Sequence, residues 1–205
     1  MTDNYGKMEL QARELFLKLD QQSIIETWQL KADDKFIYAE FFGKELRIDR
    51  KTAAISSAVP DTVLSSTQDE SMVLFDILSR TGPAPKASGQ WASISMLGGH
   101  IGAGHDRTLR NEPQAAVFAG QTERLAAACR ALGGTPFSKA DAGFAIPVFR
   151  DFKILFQFWD ADDEFPASIK YLFDTNALQY MHYETLWYVM GAAYKRIKHQ
   201  FELTE

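Results

Sequence analysis

Apolar side chains recur at helical spacing in several stretches of the chain. From Met8 to Leu19 they fall on Met8, Ala12, Leu15, Phe16 and Leu19, the stripe of an amphipathic helix. Asp20 is a capping residue for a second, short helix that carries Ile24, Ile25 and Trp28, with Ala32-Asp33-Asp34 breaking it. Thr67 and Glu70 have the spacing of a capping box, and the helix they open runs to about Arg80 with Met72, Val73, Ile77 and Leu78 inward. Asn111-Glu112-Pro113 starts another, continuous to Leu132 and closed by Gly133-Gly134. The last spans about Tyr183 to Phe201, with Leu186, Met190, Ala193, Ile197 and Phe201 as its stripe.

Other stretches alternate with period two. Phe36, Tyr38 and Phe41, then Leu46 and Ile48, predict a hairpin turning at Gly43-Lys44, with a third strand at Thr52–Ser56. Residues 144–149 and 152–159 read as paired strands. The second has Phe152, Ile154, Phe156 and Phe158 on one face and Leu155 and Trp159 on the other, so it belongs at the centre of its sheet. Ile169 to Asp174 is a further apolar segment. The sum is one α+β domain over residues 1–205, an antiparallel or mixed sheet flanked by about four to five helices.

Composition narrows the setting. The net charge is −5, and no run of Lys and Arg offers phosphates a basic face, which argues against nucleic acid. Lys195, Arg196, Lys198 and His199 lie near the end of the last helix and complement its macrodipole. No apolar run reaches membrane-spanning length, and the first residues lack the apolar core of a signal peptide. Cys129 is the single cysteine, read as a small buried hydrophobe; it cannot form an internal disulfide or a four-thiolate centre. These features point to the cytoplasm.

Candidate chemistry gathers in Trp91–Arg107. Gly98, Gly99, Gly102 and Gly104 allow positive φ and a close backbone approach, and His100 and His105 sit among them. Arg107 occupies the position where a dinucleotide fingerprint needs a third glycine, and no Gly-Lys-Ser/Thr ends the stretch as in a phosphate-binding loop. The expected site is therefore Gly99, His100, Gly102, Gly104, His105 and Arg107 beside an aromatic pocket, holding a small molecule or cofactor of unknown identity. No metal is assigned. Asp160, Asp162, Asp163 and Glu164 crowd a short segment that reads as a solvated turn rather than a cation loop.

The run from Phe158 through Leu186 resembles an uncharacterised prokaryotic family, a domain of unknown function common in anaerobes and sometimes appended to an iron–sulfur domain. The resemblance rests on Trp159, Glu164-Phe165-Pro166, Leu172-Phe173-Asp174 and Glu184, with Trp91, Gly98-Gly99, Gly133-Gly134, Asp141 and Pro147 upstream. It implies a fold and a redox-cofactor context, with no assigned catalytic residues, and the single cysteine leaves the iron–sulfur module out.

Three function classes follow. The first is an accessory protein binding a small molecule or redox cofactor at the Gly–His loop. The second is an enzyme using His105 with Asp106 or Asp141, or Glu164 or Glu184, in acid–base chemistry. The third is an interaction subunit presenting the hairpin at 35–49, with the oligomeric state, homodimer included, left open.

Overall fold

A computed structural model describes residues 4–57, 68–98, 112–137 and 139–204. Helix α1 (Asn4–Lys18) precedes α2 (Gln21–Trp28), whose first turn is capped by Asp20 through the N–H groups of Gln22 and Ser23. Gln29 ends α2 at φ 49, so the break comes before Ala32-Asp33-Asp34. Four antiparallel strands follow: β1 (Lys31–Ala32), β2 (Phe36–Phe41), β3 (Lys44–Asp49) and β4 (Ile55–Ser57). The predicted hairpin is present, but it turns at Phe42-Gly43, both with positive φ. That pair of dihedral signs is the type I′ pattern, which matches strand twist. Gly43 is required for a second reason, since a Cβ there would lie 2.9 Å from the Leu132 carbonyl oxygen.

After α3 (Gln68–Leu78), a second antiparallel sheet has the order β5-β9-β8-β7-β6. Its strands are β5 (Trp91–Ala92), β6 (Thr135–Pro136), β7 (Ala142–Phe149), β8 (Phe152–Trp159) and β9 (Ser168–Asp174). The strand of alternating Phe and Ile is the central one, as its two apolar faces predict; Phe152, Ile154, Leu155, Phe156 and Phe158 are all without exposed surface. Each of those phenylalanines contributes roughly 1.5–3 kcal/mol of transfer free energy on burial.

The helices depart from the sequence reading in three places. The long helix expected from Asn111 is divided into α5 (Glu112–Ala115), a 3-10 turn at Ala116–Phe118, and α6 (Thr122–Ala131). Gly120 at φ 71 turns the chain between them, and its N–H is held by the Asp160 carboxylate. Among the described side chains of α1 only Phe16 is fully buried; Met8 and Leu15 are 42% and 52% exposed, and the helix packs chiefly on α3. Two short helices, α4 (Ile94–Leu97) and α7 (Ala177–Tyr180), were not foreseen.

Helix α8 (Thr185–Leu203) buries the predicted stripe. It packs on α3 and α6, and α6 packs on β7. The macrodipole reading of its bases does not hold. The helix runs on to Leu203, so its last turn contains no base. Arg196 turns inward and forms a bidentate ion pair with the buried Glu70 of α3, through Nε to Oε1 and Nη2 to Oε2. Glu70, expected as a capping partner of Thr67, thus serves a partner far along the chain; Thr67 itself lies outside the described residues.

Candidate functional site

Two sheets meet at a seam, and the seam is built by irregular backbone. The β7–β8 register shifts between Pro147 and Phe149, a bulge at Val148. Pro147 is tolerated there because β6 pairs only with residues 144 and 145 and needs no N–H from it. The Val148 carbonyl accepts the N–H of Phe42 at 3.0 Å, joining the turn of the first sheet to the second. Two residues further on, Arg150 takes φ 54 in the two-residue connection to β8, a conformation costly for any residue but glycine.

Beside this seam lies an open cavity of about 550 Å³. Its walls are the end of α2 and the start of β1 (Thr27–Lys31), the outer face of the β2–β3 hairpin, the 84–86 segment, and 147–151. Tyr38 lines it with a half-buried ring, while Trp28 and Phe149 lie behind the wall, almost fully buried. Trp28 meets Phe149 edge-on at 5.2 Å between centroids.

Six charged side chains line the cavity: Lys31, Lys86 and Arg150, with Glu40, Glu45 and Asp151. Asp151 is committed to structure, accepting the Tyr180 hydroxyl at 2.7 Å and the Ala87 N–H at 3.0 Å. Burial and that hydrogen bond push the Tyr180 phenol well above its usual range. Among the described residues the other five form no ion pair. Arg150 donates only to the Gln29 amide oxygen, at 3.3 Å. Glu40 and Glu45 stand directly opposite each other across the hairpin, a like-charge pairing that ordinarily destabilises a sheet.

The wall at 84–90 is fastened by a second carboxylate. Asp174, nearly buried, accepts the Ser88 N–H and hydroxyl, the Gly89 N–H and the Asn176 N–H, at 2.8–3.0 Å. The Leu172-Phe173-Asp174 triplet of the family pattern therefore holds the segment that carries Lys86.

Gly99, His100, Gly102, Gly104, His105 and Arg107, together with Asp106, lie outside the described residues. The stretch leading to them is strand β5 and helix α4, ending at Gly98, where a Cβ would sit 2.4 Å from the Tyr183 ring. None of residues 91–98 lines the cavity. The Asp141 carboxylate accepts the Asp160 N–H. The acidic segment is a turn, with Asp162 accepting the N–H groups of Glu164 and Phe165. Among the described residues no group of three or more His, Cys, Asp or Glu is placed to hold a metal ion.

A histidine–carboxylate pair does exist, just before α8. Asp76 of α3 bonds His182 Nδ1 at 2.6 Å and also accepts the His182 N–H and the Thr185 hydroxyl. Those last two contacts are at the start of α8, so Asp76 caps that helix from its neighbour. The imidazole is 67% exposed and leaves Nε2 toward solvent.

Cys129 is fully buried, and burial pushes its thiol up to about 12. A thiol held protonated and out of reach is inert. We expect no reaction of native protein with an aromatic disulfide reagent near neutral pH, and one equivalent after denaturation. Fast labelling of the folded chain would show that α6 opens readily.

These five charges were missed because they come from four separate segments. One signal was present: in Glu40-Phe41-Phe42-Gly43-Lys44-Glu45 the two glutamates are symmetric about the turn, which puts them on one face of a hairpin.

The chain belongs to a family described as a domain of unknown function, DUF3786, whose model matches residues 20–196. Helix α1 precedes the match. No curated protein and no solved structure matches the chain.

Proposed function

We propose that this member of the family is a small-molecule-binding protein whose site is the cavity at the seam of the two sheets. The observation that carries the reading is the set of five charged side chains that line a 550 Å³ concavity and form no ion pair among the described residues. That volume is of the size that encloses small ligands, and a few convergent polar groups are usual in such sites. Backbone strain at Arg150 and the bulge before it support the same place, since such features collect where a side chain must be aimed. No described helix is long and apolar enough to cross a membrane, and a single buried thiol suits a reducing compartment, so we place the protein in the cytoplasm. His100, His105 and Arg107 remain proposed ligand contacts on their chemistry alone.

A thermal-shift screen of charged metabolites tests the reading. A ligand at one hundred times its Kd adds about 2.7 kcal/mol, which for a chain of this size is a shift of roughly 5–10 °C. Ala84 is exposed and lines the cavity, so Ala84→Trp should fill it and abolish the shift while leaving the core intact. An undiminished shift in that variant would move the site elsewhere.

A further inference from the structure

The cavity's charges also specify what enters it. We infer that the ligand is a small zwitterion, with an ammonium group received between Glu40 and Glu45 and a carboxylate received by Arg150. The inference rests on the pocket reading above and adds the ligand's chemistry to it.

Glu40 and Glu45 are paired across adjacent strands with no cation of the protein between them among the described residues. The sheet carries that repulsion in the unliganded state. An ammonium placed there removes it, and can donate to both carboxylates at once. The same cavity carries an excess of positive charge, because Asp151 already accepts from Tyr180 and Ala87 while, among the described residues, Lys31, Lys86 and Arg150 pair with no carboxylate. Arg150 has a planar fork suited to a carboxylate, and its single weak bond to the Gln29 amide leaves most of its donors open. Among the described residues these opposite charges line one cavity without pairing with one another. A molecule with both signs on its ends satisfies both sets, whereas a simple amine or a simple acid would leave one unmet. The half-buried ring of Tyr38 then accommodates the hydrocarbon between the ends.

The test uses a molecular ruler: ω-amino acids from glycine up to an eight-carbon chain, each beside its N-acetyl and its carboxamide derivative, titrated by calorimetry. At least one length should bind tenfold or more tighter than both of its derivatives. Glu45→Gln should weaken that zwitterion about tenfold and leave the N-acetyl form unchanged; Arg150→Gln should weaken it about tenfold and leave the carboxamide unchanged. Glu45→Gln should also raise the melting temperature of the unliganded protein, since it relieves the cross-strand repulsion. A glutamate retained for structure would lower it. An aminoalkyl phosphate binding tighter than every ω-amino acid would overturn the carboxylate assignment. Derivatives that bind as well as their parents would overturn the zwitterion while Ala84→Trp still blocks binding, so the pocket reading would survive. If no probe in this series or in the metabolite screen binds, both readings fall.

Discussion

Replacing Arg196 with methionine lowers the unfolding free energy by roughly 3–5 kcal/mol, the cost of leaving a buried charge without its partner. Arg196 is 2% exposed and Glu70 1%, so neither group finds compensating water when the other is removed. For a chain of this length the loss is a fall in melting temperature of roughly 6–20 °C, read from a thermal scan or from the urea midpoint. Glu70→Gln has the same sign. The double variant Glu70→Leu with Arg196→Met should recover most of the loss, since an apolar pair of similar volume removes the desolvation cost along with the attraction. The neighbouring pair Asp69–Lys195 spans the same two helices at 2.6 Å, but the lysine is half exposed. Lys195→Ala should therefore cost no more than about 1 kcal/mol. Equal losses from Lys195→Ala and Arg196→Met would mean that burial does not set the strength of this interface.

Asp174→Asn should cost roughly 2–4 kcal/mol near neutral pH, because the buried carboxylate accepts four donors and an amide cannot accept them all. The loss depends on pH. Burial pushes the Asp174 carboxyl up, but the donations from Ser88, Asn176 and Gly89 outweigh it and hold the group below its ordinary value. A carboxyl depressed in the folded state stabilises fully above its unfolded pKa of about 4, and the contribution is lost as pH falls through the folded value. The difference between wild type and Asp174→Asn should accordingly be constant from about pH 7 to 5 and shrink below about pH 4. Urea melts of both proteins across that range measure it. A difference that stays constant down to pH 2 would show that the carboxylate's charge is not what Ser88 and Gly89 require. The same variant should weaken ligand binding, because the loosened segment carries Lys86 into the cavity wall.

Much of the architecture is legible in the residue pattern. Phe152 to Phe158 alternate without interruption and are apolar on both faces, and such a strand has one stable place, between two others. Asp20 is followed by Gln22 and Ser23, whose free N–H groups only a nearby acceptor can satisfy, so the cap is a local matter. Errors arose where a local signal met a distant partner. The run from Asn111 to Leu132 has helical spacing throughout, yet Asp160 of another segment binds Gly120 and Thr122 and divides it. Arg196 looked like a macrodipole base because its sequence neighbours are basic; only the crossing of α3 beneath it shows a buried carboxylate.

Chain order alone determined the two classes of element, the central strand and the apolar stripe of the last helix. These follow from spacing, which acts over a few residues. Tertiary packing decided the division into two sheets, the inward turn of Arg196, and the cavity at their seam. Lys31, Glu45, Lys86 and Arg150 share no sequence neighbourhood, and their charges acquire a common meaning only when long-range backbone contacts such as Phe42 to Val148 bring four segments to one place.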